Sequence, residues 1–271
     1  MLSLAKHPRL LKEIIISIQA YGAAHQFIKA NKLWKWIIVP GILYMLLFIT
    51  GMYFFSQSAN NAIEWIALRT GLKGWLDTLD NGFLGFLFTF GTTLLWILLM
   101  LFYFSLFKYL FLIIGSPVFA YLSEKTEAII EKKDFPFNQQ QFLKDIVRGI
   151  KLSVRNSLWQ TVYLLSIIFL SLIPLIGWFT PFLALLLESY YYGFSMLDYS
   201  MERHKKSEGE SIAFVSAHKG LAMGNGIVFY LFHFLPIIGW ILAPSYAVIA
   251  ATLSIYPLKK EAIEQSIAKN G

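Results

Sequence analysis

An all-α integral membrane protein, with two long transmembrane helices and two proline-broken, partly penetrating helical hairpins, is the fold class this 271-residue sequence predicts. Three observations predict it. Hydrophobic residues make up 57% and charged residues 14%, with a mean hydropathy of +0.58, so too few charges remain to solvate the outside of a soluble globule. Two long apolar stretches run almost without a charge, at 34–55 and 83–114. Two further apolar stretches share an internal echo, Pro174-Leu-Ile-Gly-Trp-Phe-Thr-Pro181 and Pro236-Ile-Ile-Gly-Trp-Ile-Leu-Ala-Pro244. The same hydrophobicity excludes intrinsic disorder.

The chain reads as one membrane domain. In 1–33, Lys6, Arg9, Lys12, Lys29 and Lys32 surround a short apolar run at 14–18. That run is too short for the h-region of a cleaved signal peptide. Leu10, Leu11, Ile14, Ile15, Ile18, Tyr21, Phe27 and Ile28 fit one helical stripe, which predicts an interfacial amphipathic helix. Residues 34–55 reach roughly 33 Å as a helix, enough to cross a hydrocarbon core of about 30 Å. Trp34 and Trp36 suit one interface and Tyr53 the other. The polar stretch 56–82 carries Trp65 and Trp75 on a short surface helix. Residues 83–114, interrupted only by Lys108, form a second spanning helix too long for one bilayer, so it tilts or protrudes. Cytoplasmic helices at 115–157, a hairpin at 158–192, a cytoplasmic loop at 193–226, a second hairpin at 227–256 and a tail at 257–271 complete the chain.

Proline costs a helix interior about 3 kcal/mol and glycine about 1. Prolines bracketing a glycine therefore mark turns, with Pro174, Gly177, Pro236 and Gly239 at the hairpin tips. Arms of about 16 residues or fewer, some 24 Å long, fall short of the bilayer. Broken backbone at membrane depth needs cover from other helices or subunits, so a homo-oligomer in the lipid bilayer is expected. The 23 Lys+Arg against 16 Asp+Glu, a formal +7, would suggest nucleic acid in a soluble protein. Here 20 of the 23 fall on one side if the hairpins return, with Arg69 and Lys73 opposite and Lys108 inside. The positive-inside rule makes the rich side, and the N-terminus, cytoplasmic, and no nucleic-acid partner is expected. Single crossings in place of hairpins would move four basic residues outside, which the rule also permits.

There is no Cys, hence no disulfide and no thiolate chemistry. H-E-x-x-H, G-x-S-x-G, the P-loop and the dinucleotide fingerprint are all absent, so no enzyme activity, cofactor or metal is expected. Ionisable groups in the apolar stretches are the next signal, since each costs at least about 2.5–3.5 kcal/mol at mid-membrane. Lys108 reads as a snorkelling residue ahead of a functional one. Glu188 requires a basic partner, Lys108 or Arg155. His233 reads as a buried, hydrogen-bonded histidine ahead of a proton relay. Arg148, Lys151 and Arg155 share one helical face, where they could gather anions, meet anionic headgroups, or pair with Glu124 and Glu127.

The order of several elements resembles the CysZ family of bacterial sulfate permeases and its wider etoposide-induced-protein-like superfamily. These are the basic N-terminus with Pro40; Ser116-Pro117, Leu122-Ser-Glu124 and Glu127; and Tyr191-Tyr192, Leu197-Asp198-Tyr199 and Arg203. Gly224, Pro236-Ile-Ile-Gly, Ala243-Pro244 and Ala250-Ala251-Thr252 complete the set, which covers roughly 15–257. The resemblance implies two long membrane helices, two partly penetrating hairpins, oligomeric assembly in a bacterial inner membrane, and sulfate uptake for cysteine synthesis. It also implies an anion site where family members carry a glycine-leucine element followed by arginines. This chain reads Gly22-Ala23-Ala24-His25-Gln26-Phe27-Ile28-Lys29 there, so Gly22, Ala23, Lys29 and Lys32 are the candidate oxyanion contacts. Glu124, Glu127, Arg148 and Arg155 would form a charged network at the pore exit. The readings are then a sulfate or similar oxyanion permease, passive or ion-coupled; a non-transporting scaffold or regulator of the same superfamily; and a lipid-handling protein.

Overall fold

A computed structural model of the chain describes residues 7–69, 82–133, 139–171, 173, 175–203 and 207–270. Among them the elements are α1 (His7–Ala30), α2 (Trp34–Arg69), α3 (Phe83–Glu131), α4 (Gln139–Ser171), a 3-10 turn (Gly177–Phe179), α5 (Thr180–Arg203), α6 (Glu208–Ala217), α7 (Lys219–His233) and α8 (Ile238–Asn270). The all-α expectation holds. Trp34–Ser58 and Ile238–Pro257 are each long and apolar enough to cross a membrane.

The helices run further than their composition suggested. Trp65, expected on a separate surface helix, lies on α2 itself; Trp75 falls outside the described residues. The second long helix passes 114 and continues through Pro117 to Glu131. Proline there leaves the Ile113 carbonyl without its backbone donor, and the Ser116 hydroxyl donates to that carbonyl at 3.0 Å instead. One side-chain bond thus lets the helix pass a residue that would otherwise end it.

α1 does not present one continuous stripe to an outside surface. Its buried face is Glu13, Ser17, Ala20, Tyr21, Ala24 and Ile28, packed on α7 and α8, while Leu11, Ile15 and Ile18 stay exposed. Polar groups fix that choice. Ser17 Oγ donates to the Leu221 carbonyl at 2.9 Å, Tyr21 Oη to the Asn225 carbonyl at 2.8 Å, and Glu13 accepts from the Gly220 amide at 3.2 Å. The helix closes with Lys32 left-handed (φ 53°) and the Leu33 amide donating back to the Ile28 carbonyl at 3.1 Å.

Both echoed motifs turn the chain, and they do so alike. The residue after each proline is left-handed, Leu175 at φ 69° and Ile237 at φ 65°. Two residues on, Gly177 donates its amide to Ile173 O at 2.9 Å and Gly239 to Leu235 O at 2.8 Å. Each glycine passes so close to a carbonyl of the preceding helix, Ser171 or Phe232, that a Cβ would collide with it. The second prolines differ. Pro181 sits in the first turn of α5, where it is tolerated, but Pro244 lies inside α8. Of the helices on either side of the second turn, α7 has 15 residues and α8 runs unbroken through Pro244 for 33. Packing of α8 against α1, α2, α3, α5 and α7 outweighs the proline's cost. The core lies where α1, α5, α7 and α8 meet; there Tyr192 stacks on Phe229 with ring centroids 3.5 Å apart. That stacking requires α5 and α7 to approach closely, and Gly226 faces the Ser189 carbonyl with no room for a Cβ.

Candidate functional site

α3, α4, α5 and α7 each bring polar side chains to one buried cluster. Lys108 of α3 is 5% exposed and Glu188 of α5 is fully buried. The ammonium donates to Glu188 Oε2 and to Gln160 Oε1, both at 2.8 Å. Gln160 Nε2 donates to the other carboxylate oxygen. Tyr230 donates to Glu188 Oε2 at 2.8 Å and Tyr109 to Gln160 Oε1 at 2.7 Å. Gln160 therefore bridges the two charges, and two tyrosines satisfy lone pairs that the ion pair leaves over. Such an arrangement is what a buried pair needs to persist, because desolvation costs several kcal/mol per ion. The expected partnership of Glu188 with Lys108 is found. The snorkelling expected of Lys108 is not, since its acceptors Glu188 and Gln160 lie inward.

A second ion pair occupies the far end of α4. Arg148 meets Asp198 in a two-pronged contact, Nη1 to Oδ2 at 3.1 Å and Nη2 to Oδ1 at 2.9 Å, and Nη2 also donates to Ser211 Oγ at 2.7 Å. Burial raises the Asp198 carboxyl above its ordinary 3.8, an effect that Arg148 and a hydrogen bond from Ser211 oppose. The basic stripe thus divides. Lys151 reaches Glu208 at 3.0 Å on the surface, and Arg155 donates to Asn156 Oδ1 at 3.1 Å. Glu127 is buried and Glu124 half-buried on the last turns of α3.

Gly22 and Ala23 lie well inside α1, exposed, with their amides in a continuous helix. Lys29 and Lys32 are exposed beside the turn at 31–33, about 10 Å further along the helix axis. The nearest helix N-terminus begins at Trp34. Of the hairpin-tip residues, Gly177 and Gly239 are buried and Pro236 is exposed, whereas Pro174 falls outside the described residues. His233 is a held histidine. Its Nδ1–H donates to the Phe229 carbonyl at 2.9 Å and its Nε2 meets the Tyr44 hydroxyl at 2.8 Å.

The family model described as "Sulfate transporter CysZ/Etoposide-induced protein 2.4" matches residues 20–244. The chain belongs to this family. It is similar to proteins named Sulfate transporter CysZ from Pseudomonas aeruginosa, 25% identical over 241 residues covering 87% of this chain and 92% of the relative. A like-named protein from Pseudomonas fluorescens is 26% identical over 159 residues, or 58% of this chain and 63% of its own. Family membership and the two membrane-length helices together imply a membrane protein.

Sequence reasoning missed Gln160, Tyr109 and Tyr230, and the tie between Asp198 and Arg148. Gln160 carried a signal: it is an amide embedded in the apolar run opening at Leu158, where an unpaired polar group would be costly. A hydroxyl triangle also went unread. Ser123, Ser200 and Thr252, all buried, lie 2.9–3.2 Å apart where α3, α5 and α8 meet.

Proposed function

We propose that the protein is a bacterial inner-membrane permease for a small oxyanion, sulfate in the first place, with its N-terminus in the cytoplasm. The observation that carries the reading is family membership over residues 20–244. Exposed apolar side chains at both tips, Leu175, Ile176, Trp178 and Phe179 on one and Phe234, Leu235, Ile237 and Ile238 on the other, support hairpins that dip into lipid. In this reading Gly22, Ala23, Lys29 and Lys32, ahead of and beside the first turn of α2, capture the anion. Glu124, Glu127, Arg148 and Arg155 line the charged exit. Copies of the chain seal the path. Labelled sulfate uptake into proteoliposomes tests this: flux above empty vesicles is expected, and its absence from folded, assembled protein overturns the proposal.

The scaffold reading draws on one observation: Gly22 and Ala23 sit mid-helix, away from a helix N-terminus, with Lys29 and Lys32 in place of the arginines that the resemblance implies. Restored growth of a sulfate-uptake mutant on low sulfate decides against it.

A further inference from the structure

α2 and α3 run antiparallel: Trp36 meets Tyr121, Tyr44 meets Phe111 and Phe55 meets Tyr103. At the end where the membrane-length stretch Trp34–Ser58 begins, a cation is built into that contact. The rings of Trp36 and Tyr121 lie 4.5 Å apart, centroid to centroid. Lys125, one turn beyond Tyr121 on α3, holds its ammonium 4.8 Å from the Trp36 ring and 5.5 Å from that of Tyr121. Its Nζ also donates to Tyr121 Oη, at a long 3.4 Å. Among the described residues no carboxylate is in ion-pair contact with it. Ring faces attract a cation and fix the half-buried side chain, yet they give its three N–H donors no oxygen and no opposite charge.

Away from this end the surface turns apolar. Val39, Leu43 and Leu46 follow Trp36 by three, seven and ten residues, and Ile114 and Leu110 precede Tyr121 by seven and eleven. Those intervals place all five on the helix faces that carry the two rings, and all five are exposed. The rise from Trp36 to Leu46 is about 15 Å, half of a hydrocarbon core of roughly 30 Å. Trp and Tyr favour the level where hydrocarbon meets headgroups, so the rings mark the leaflet's edge. Lys35, exposed on the first turn of α2, adds a second cation at the same level. An apolar face one leaflet deep, ending in an unpaired ammonium, is complementary to acyl chains that end in a phosphate. A choline headgroup fits less well, because Lys125 already lies over the rings that a quaternary ammonium would need.

We infer that Trp36, Tyr121 and Lys125 form the headgroup end of a binding site for an anionic phospholipid. The lipid phosphate takes the open donors of Lys125, and the acyl chains lie along Val39, Leu43 and Leu46 of α2 and Leu110 and Ile114 of α3. The inference rests on the chain being a membrane protein and not on what it transports. The rings have two parts in it. They hold the ammonium at a fixed height, which a free lysine stem would not, and they present amphipathic edges to the glycerol region of the lipid. A lipid bound here braces the α2–α3 contact from outside, where no described helix covers it.

Two readouts on the full-length protein test this. In native mass spectrometry from detergent, phosphatidylglycerol is expected to bind about fivefold more tightly than phosphatidylcholine with the same chains. Lys125→Met is expected to abolish that preference and Lys125→Arg to keep it, while Lys219→Met, which removes an exposed charge on α7, leaves it unchanged. In phosphatidylcholine nanodiscs, phosphatidylglycerol brominated near the headgroup is expected to quench tryptophan fluorescence more than an equal fraction of brominated phosphatidylcholine. Trp36→Phe is expected to remove the excess, which keeps the test open if Lys125→Met fails to fold. Equal binding of the two lipids by the wild type overturns the inference, as does a preference that survives Lys125→Met. An equal loss in Lys219→Met shows diffuse attraction in place of a site. Displacement of the lipid by inorganic sulfate, beyond that by chloride at the same ionic strength, assigns Lys125 to a small anion instead. The chain has no cysteine, so a disulfide between copies carrying Leu43→Cys shows that a second copy covers this face, and it too overturns the inference.

Discussion

Two ion pairs tie α5 to its neighbours, one to α3 and one to α4, yet they are built on opposite plans. Lys108 and Glu188 sit in complete burial, a compact ammonium against a carboxylate, with an amide and two tyrosines completing the set. Arg148 and Asp198 meet through a planar fork, with the Arg148 side chain 16% exposed and a serine as third partner. The deep pair depends on neighbours that hydrogen-bond it, because water cannot help. The outer pair depends on geometry, because water competes. The teaching is that the cost of losing a partner scales with how little solvent is available to replace it.

Breaking the deep pair is therefore expected to have the largest effect. Lys108→Met alone strands a buried carboxylate, and a loss of about 3–5 kcal/mol is expected. Adding Glu188→Met should restore most of it. Thermal unfolding of the purified protein in detergent reads both, and a double mutant no better than the single would contradict the account. Gln160→Leu comes next. It deprives Lys108, Tyr109 and Glu188 of one bond each, for an expected loss of about 2–3 kcal/mol in the same assay.

At the outer pair, Arg148→Lys keeps the charge and loses the fork, so a loss of about 1 kcal/mol is expected, growing in high salt. The smallest effect sharpens the comparison most. Because burial raises the Asp198 carboxyl above 3.8 despite Arg148, the native state holds this proton more tightly than the unfolded chain. The stability this provides is complete below about pH 3.8 and is lost as pH rises through the raised value. On acidification from pH 7, the wild type should gain stability relative to Asp198→Asn. An ordinary exposed pair, whose carboxyl is held low, would lose it, and melting curves at two pH values distinguish the cases.

The echoed Pro-x-Ile-Gly-Trp motifs were legible as turns because proline and glycine act locally, and Leu175 and Ile237 are left-handed there. Continuation of α8 through Pro244 was not, since only its packing partners, distant in sequence, hold the helix together there. Glu188 announced the need for a cation, but the choice of Lys108, 80 residues away, is a fact of tertiary structure. The basic stripe shows the same limit. Its spacing on one helical face was correct, yet Arg148, Lys151 and Arg155 turn to three different partners, because each is answered by whatever element passes nearby.

The hydroxyl triangle at the meeting of α3, α5 and α8 constrains how this bundle can move. Each of Ser123, Ser200 and Thr252 takes part in two of the three contacts, so turning any one helix about its axis ruptures two at once. Those helices must therefore shift as one block, and any rearrangement that opens a path has to be made by what surrounds them.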